Sequence, residues 1–438
     1  MRNQGPMRIL VSTLCLEKAG SHVLALSLAS AMAAQGHHVF LYNQGEQLVD
    51  AGMVEQYLSP RVQVVAMDRF PLINKICWKI NALVKKLGVN WSFHEWCKTL
   101  LLFYTIWHHR IDIVHGHEVL VEKSRLVKLR QWSSVPIAVT DHGGYSMLIK
   151  MGDWSFVPYA NMGQSIVAVS EYSARLLRGE VAEENPSELR QLGAHILATD
   201  YQAEFNSLNA SRTNTRLPLT TPITTIYNGV ASTAGTLPTQ AIDRSTFSIQ
   251  NESLVFGMIG RGTEQKGWRY AYAAYQHLKQ LLPDQPFTLL CMGDGPVIQE
   301  LRQQTSADQS DIVFLGNVDN PHQYMPLCDV GLMPSCFSEG LPLSIIEFFE
   351  HQVPVIASSL GGIPELIEPI DLAPGGLLVP IEPNGTPNMK ALVHAMHAYA
   401  INKDLRDEHA RNSARIRARF NMEQCATAYE KLFRELTS

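Results

Sequence analysis

Short apolar runs recur along this chain between stretches of helical periodicity, and that rhythm limits the fold more than any other feature. The first set covers residues 9–11, 38–41, 62–66, 111–114, 137–139 and 165–169, with Gln63 and Asp112 as single polar interruptions. Runs that are apolar on both alternating sides read as strands of a parallel sheet covered on both faces by helices. A second set lies at 255–259, 287–292, 312–314, 330–333 and 353–356. A chain of 438 residues with 46% hydrophobic content can bury two such cores. The expected class is therefore α/β, with two doubly wound domains.

Residues 231–251 are rich in Ser, Thr, Gly and Pro and lose periodicity, as a connection between domains does. The chain then divides into a first domain at 1–230, closed by the turn signal Asn228-Gly229, a second at 231–421, and a helical tail at 422–438. A strand at 8–14 and a helix from about 21 to 35 open the first domain. Glu17 and Lys18 interrupt the apolar stretch ahead of the small-residue run at 29–34, which favours that strand and helix over a cleaved signal. Residues 179–222 look like an addition to the plan. There Asn185-Pro186-Ser187-Glu188 reads as a capping box opening a helix to about residue 206, either a plain surface excursion or a lid on the acceptor side.

The formal net charge of -5 supplies no basic field for nucleic acid. Seven cysteines, at positions 15, 77, 97, 291, 328, 336 and 425, include no Cys-x-x-Cys pair, which points to reduced thiols in a cytoplasmic chain. No run reaches the roughly 18 apolar residues of a membrane span.

The strongest chemical signal is Ser338-Glu339-Gly340-Leu341-Pro342-Leu343-Ser344-Ile345-Ile346-Glu347. Glu339 falls in a loop before Pro342, a residue suited to a first helical position, and Glu347 lies one to two turns inside the helix. Both carboxylates can face one ligand, with the free amides of the helix start near Leu343 and Ser344 between them as an anion site. A phosphate flanked by two hydroxyl-binding acids describes a nucleotide sugar.

Other motifs follow predicted strands. Gly260-Arg261-Gly262-Thr263-Glu264-Gln265-Lys266-Gly267 offers two cations on a glycine-bounded loop but lacks the Gly-Lys-Ser/Thr ending of a P-loop. Alone it reads as a solvated turn or a phosphate clamp, and the downstream carboxylates favour the clamp. Gly293-Asp294-Gly295-Pro296, Gly316-Asn317-Val318 and Gly361-Gly362-Ile363-Pro364-Glu365 occupy strand ends, where open sheets bind ligands, and each is equally readable as an ordinary turn. Ala19-Gly20 precedes a helix start, and His142 sits beside Gly143 and Gly144 at another strand end. His115 and His117 lack a third ligand nearby in sequence, so no metal is expected there.

Taken together these motifs resemble a retaining glycosyltransferase of family four, with the GT-B fold of two facing Rossmann-like domains and a C-terminal helix that crosses back to the first. The resemblance spans nearly the whole chain and implies roles by position. Glu339 would contact the donor sugar and Glu347 the ribose. Arg261 and Lys266 would hold the pyrophosphate, with Gly20 closing from the opposite domain. His142 would lie near the reacting hydroxyl. Gly340, Leu341, Leu343, Asn317 and Val318 complete the implied donor site. The co-substrate is a nucleotide-diphosphate sugar, with no separate cofactor and no metal, consistent with the absence of Asp-x-Asp from the sequence. The reaction implied is transfer to an acceptor hydroxyl in a cell-envelope or surface glycan, such as a lipopolysaccharide, exopolysaccharide or glycolipid. A nucleotide-sugar epimerase and a noncatalytic sugar-nucleotide-binding subunit are the alternatives. Ala19 replaces a glycine that the family often carries, and Ala231 stands where Asp usually follows Asn-Gly-Val.

Trp78, Trp91, Trp96, Trp107 and Trp132 cluster within one third of the first domain. Nearby, Ile73, Ile76, Ile80, Leu83, Val84 and Leu87 recur at helical spacing, and Lys75, Lys79 and Lys86 gather on another face. Two readings stay open for residues 73–107: a helix packed into the core, or one lying on an anionic membrane.

Overall fold

A computed structural model describes residues 5–45, 49–88, 92–181, 191–196, 216–231, 242–306 and 309–438. The expected capping box at Asn185 to Glu188 lies outside the described residues, as does Trp91. The first sheet contains β1 (Arg8–Thr13), β2 (His38–Asn43), β3 (Gln63–Val65), β4 (Ile113–His117), β5 (Ile137–Asp141), β6 (Ser165–Ala168) and β7 (Ile223–Thr225). The second contains β8 (Leu254–Ile259), β9 (Phe287–Met292), β10 (Ile312–Gly316), β11 (Val330–Met333), β12 (Val355–Ser358) and β13 (Gly376–Val379). Their orders are β3-β2-β1-β4-β5-β6-β7 and β10-β9-β8-β11-β12-β13, with every pairing parallel. Each order reverses at its centre, between β1 and β4 and between β8 and β11, which opens a crevice at the carboxyl ends of the strands.

Several boundaries moved for local reasons. The run expected at 353–356 begins as a strand only at Val355, because Pro354 has no amide hydrogen for the ladder. Pro342 stands just before its helix, in extended backbone, so the helix starts at Leu343. β4 runs on through His117, which puts both histidines on the strand itself. Strand β13 and the helices Met389–Ile401 and Lys403–Arg417 were not anticipated.

The tail forms the helix Met422–Leu436 and packs against the helix Gly20–Ala34 of the first domain. Its path back is held by Arg417, which donates to the Val230 carbonyl at 3.1 Å and pairs with Glu350 at 2.6 Å, and by Val230 N–H donating to the Phe420 carbonyl at 2.9 Å. Tyr429 on that helix is fully buried, its hydroxyl 2.8 Å from the Thr140 hydroxyl at the end of β5.

Core packing does not describe the helix Pro71–Lys86. Its inward stripe carries Asn74, Cys77 and Asn81, and Ile80 and Val84 are half-buried, while Leu72, Ile73, Ile76, Leu83 and Leu87 are exposed. All cysteines described are free thiols, yet folding brings Cys77 and Cys97 to 3.3 Å across this helix and the next. Among the described residues no helix is long and apolar enough to cross a membrane.

Candidate active site

The carboxyl ends of β1, β4, β5, β6, β8, β9 and β10 open onto one cleft of about 600 Å³ between the two domains. Gly20, His142, Arg261, Lys266, Asn317, Val318, Glu339, Gly340, Leu341, Leu343 and Glu347 all line it.

The second domain's wall of the cleft is built from loops that lock one another. The loops after β8 and β9 touch backbone to backbone: a Cβ on Gly293 would lie 2.0 Å from the Gly260 carbonyl oxygen. That contact, together with Gly262 N–H donating to the Asp294 carbonyl at 2.7 Å, accounts for glycine in both motifs. Gln265 donates to the Ser338 carbonyl at 2.6 Å, and the Trp268 indole to the Arg261 carbonyl at 2.8 Å. Lys266 does not reach outward as a lone cation. Its ammonium lies 2.7 Å from Glu339 Oε1, which also accepts from the Ser335 hydroxyl at 2.8 Å, so the acid is held in one orientation inside a buried loop.

Two helix starts converge here from opposite domains. Neither Gly20–Ala34 nor Leu343–Glu350 has a side chain capping its first amides, and a Cβ on Gly20 would lie 3.7 Å from the Leu343 side chain. Uncapped amides and the positive ends of both helix dipoles therefore face one space, with Arg261 lining it. One turn further, Glu347 is buried. Removal from water pushes its carboxyl up to about 7, with Arg417 pulling the other way. Tyr57 lines the same wall, its phenol raised by burial and by Glu347.

Opposite stand the histidines. His142 Nε2 lies 2.9 Å from His117 Nδ1, because β4 and β5 are neighbours and both rings leave at the same end. Burial and the nearby His22 hold His142 down at about 3, and burial with its histidine neighbours holds His117 well below the usual range. Both rings are neutral near pH 7, and they act as hydrogen-bonding groups rather than cations. Behind them His115 Nε2 bonds Thr140 Oγ1 at 2.7 Å, which continues to Tyr429. Asp141 shapes the turn that aims His142, accepting from the amides of Gly143 and Tyr145 and from the Ser146 hydroxyl, each at 3.0 Å. Among the described residues no three His, Cys, Asp or Glu side chains group as a metal site would require.

The remaining motif lies outside the cleft lining and ties the two domains together. Glu365 reaches across the domains to accept from the first amides of the helix Glu171–Arg178, at 3.0 Å from Glu171 and 2.8 Å from Tyr172, and from the Tyr227 hydroxyl at 2.7 Å. Gly361 and Gly362 let the Glu339 loop approach: a Cβ on Gly361 would lie 1.9 Å from the Glu339 carbonyl oxygen, and one on Gly362 2.1 Å from that of Gly340. Asn228 donates to the Leu341 carbonyl at 2.9 Å, so a hinge-side contact is made although Ala231 departs from the family pattern. Lys150 crosses from the first domain to the Phe337 carbonyl at 2.9 Å, two residues before Glu339. Burial lowers its amine to about 8, against the raising effect of Glu339. Phe337 itself adopts φ of 68°, a strained conformation for a bulky residue.

Sequence reasoning did not assign His117, Lys150, Glu365, Asn228 or Tyr57 a place around this cleft. His117, Asn228 and Glu365 stood in recognised motifs, whereas Lys150 and Tyr57 carried no local signal.

Comparison with known proteins agrees with this architecture. A family described as Glycosyltransferase Family 4 matches residues 19–186, and one described as Glycosyl transferases group 1 matches residues 253–398. The UDP-Gal:alpha-D-GlcNAc-diphosphoundecaprenol alpha-1,3-galactosyltransferase of Escherichia coli is 29% identical over 119 residues, 26% of this chain and 30% of that protein. The 2-deoxystreptamine glucosyltransferase of Streptomyces kanamyceticus is 36% identical over 113 residues, 25% of this chain and 28% of that protein. The chain thus matches under a third of the length of these curated relatives. The crystal structure of Anabaena Alr3699/HepE in complex with UDP and glucose superposes with a TM-score of 0.62 at 18% identity, covering 98% of this chain and 100% of that one, which shows the fold is shared. With one family description matching each domain, in order, the chain belongs to the family 4 group of glycosyltransferases and has the GT-B fold.

Proposed function

We propose that this chain is a retaining, metal-independent transferase of hexosyl type that moves a sugar from a nucleotide-diphosphate sugar to an acceptor hydroxyl in cell-envelope or surface glycan synthesis. The observation that carries this reading is the convergence of two uncapped helix starts and Arg261 between Glu339 and Glu347.

In the reaction the bond from the sugar's anomeric carbon to the diphosphate oxygen breaks, and a bond from that carbon to the acceptor oxygen forms on the same face. The acceptor's proton passes to the departing phosphate oxygen. Negative charge grows on the diphosphate, where the helix amides and Arg261 stabilise it in a partly dry cleft. Glu339, oriented by Lys266 and Ser335, accepts from the sugar's hydroxyls. Diphosphate binding near Lys266 would let that ammonium bridge the two ligands. Neutral His142 hydrogen-bonds at the reacting face without adding a competing positive charge.

Uridine diphosphate sugars are the first donors to test, supported by the donor in the Escherichia coli relative's name and by HepE crystallised with UDP-glucose. The same relative's lipid-linked acceptor supports a cytoplasmic enzyme working at the inner membrane face.

The purified protein, given a panel of nucleotide sugars, should melt higher with the true donor. With acceptor present it should then release nucleotide diphosphate at an unchanged rate in EDTA, and NMR should find the donor's anomeric configuration kept in the product. Failure of every nucleotide sugar and nucleotide diphosphate to shift melting would overturn the donor assignment. Inverted product would overturn the mechanism.

A further inference from the structure

The helix Pro71–Lys86 packs against the helix Phe93–His109 with its polarity turned outside in, while the second helix buries Leu102 and Ile106 in the core of the first domain. Between them, Asn74 Oδ1 pairs with His94 Nε2 at 3.0 Å, Asn81 Oδ1 accepts the Phe93 amide at 3.1 Å, and the Cys77 and Cys97 sulfurs meet. Outward stand Leu72, Ile73, Ile76, Leu83 and Leu87, between 53% and 77% exposed. At 3.6 residues per turn these five fall within an arc of about 100°, and Lys75, Lys79 and Lys86 border that arc on one side. The second helix exposes Trp96, Leu100, Tyr104 and Trp107, which share one stripe. A soluble surface helix shows the opposite arrangement.

Charge selects the partner. Residues 67–110 carry seven Lys and Arg against two Asp and Glu, in a chain whose formal net charge is -5. A second copy of this chain would set like charge against like at the face. A bilayer with anionic headgroups satisfies both features: the aliphatic arc enters the acyl boundary, the bordering lysines extend to phosphates, and Trp and Tyr sit at headgroup depth.

The helical pair is also tied to the cleft. Lys98 donates to the Gln44 carbonyl at 3.1 Å, and Arg125 bridges Glu95 to Gln44 Oε1, the latter at 2.9 Å. Gln44 in turn donates to Glu118 Oε1 at 2.5 Å, and Glu118 lines the cleft wall.

We propose that this helical pair seats the enzyme on an anionic bilayer, so that the cleft takes its acceptor from the membrane surface. The acceptor clause rests on the transferase reading; the docking does not. Co-sedimentation with phosphatidylcholine vesicles, with and without one part phosphatidylglycerol to two, tests it on the full chain. Wild type should partition onto the anionic vesicles, with a blue shift of tryptophan emission, and much less onto the neutral ones. Ile73→Ser/Ile76→Ser/Leu83→Ser should weaken partition at least about tenfold. Lys75→Gln/Lys79→Gln/Lys86→Gln should weaken it too and remove most of its salt dependence. Both triple variants should keep the wild-type melting temperature, because all six side chains lie outside the core. Equal binding by wild type and the serine variant, or no binding to either vesicle, overturns the proposal. So does a wild-type dimer in sedimentation velocity that the serine variant dissociates, since the face would then belong to a second copy. Vesicle binding without nucleotide release from any donor would leave the docking standing and remove the transferase reading.

Discussion

Nucleotide binding by the wild-type chain should depend on pH, and replacing Glu347 by Gln should erase that dependence. Burial lifts the Glu347 carboxyl from its ordinary 4.5 to about 7, so just below neutrality the empty site holds a proton there. Ribose hydroxyls donating to this group favour its ionised form, which draws its pKa back toward the ordinary value on binding. The sign follows: at low pH the site must release a proton to bind, so affinity is weak in acid and strengthens until pH passes 7. A complete return from about 7 to 4.5 corresponds to roughly 3 kcal/mol. Between about pH 5.5 and pH 8 that reads as a tightening of about 25-fold in Kd.

Titration calorimetry of a nucleotide diphosphate with wild type and Glu347→Gln, in two buffers of different ionisation heat, measures both the affinity and the proton. The titration of the phosphate itself is common to the two proteins and cancels in their ratio. Wild type should release close to one extra proton per nucleotide near about pH 6, and the variant should not. Parallel pH profiles for the two proteins would refute the ribose assignment, and so would wild-type affinity that rises in acid. The unliganded protein offers a second check. An acid whose folded pKa is raised destabilises the fold where it must ionise, so the cost is absent below about 4.5 and complete above about 7. Wild type should therefore lose stability relative to Glu347→Gln as pH rises from about 5 to about 8, by at most about 3 kcal/mol.

Glu339→Gln should reduce transfer by at least about a hundredfold while nucleotide diphosphate affinity stays within a few-fold of wild type, measured by product assay and calorimetry. Equal loss of both would overturn its sugar-side role. Lys150→Met removes the donor to the Phe337 carbonyl and should lower kcat more than it raises the KM for donor, because it displaces Glu339 rather than the nucleotide; rescue by Lys150→Arg would support positioning. Glu365→Ala leaves two helix amides and the Tyr227 hydroxyl without their acceptor, a loss of about 2 kcal/mol from the closed interface. Small-angle scattering should find a larger radius of gyration without nucleotide than wild type has, and an unchanged radius would argue that other contacts hold the domains shut.

How far the sequence could be read depended on how local each determinant is. The strands at residues 8–13 and 287–292 stood out because an apolar run buried on both faces leaves its mark within a few residues. Glu339 and Glu347 were legible together for the same reason, since a single loop and helix carry both. His117 and His142 are 25 positions apart, and their pairing follows only once β4 and β5 are known to be neighbours. Lys150 and Phe337 are 187 apart and belong to different domains, so nothing in either local sequence announces the bond. The helix Pro71–Lys86 marks a different boundary. Its periodicity was plain, and a periodic apolar face suits a protein core as well as a membrane. The phase was decided by the opposite side, where Asn74, Asn81 and Cys77 find partners on the next helix and turn Ile73 and Ile76 outward. Polar residues on a helix thus settled what its hydrophobic residues could not, because a buried amide must meet a specific partner whereas an aliphatic side chain is indifferent among apolar surroundings.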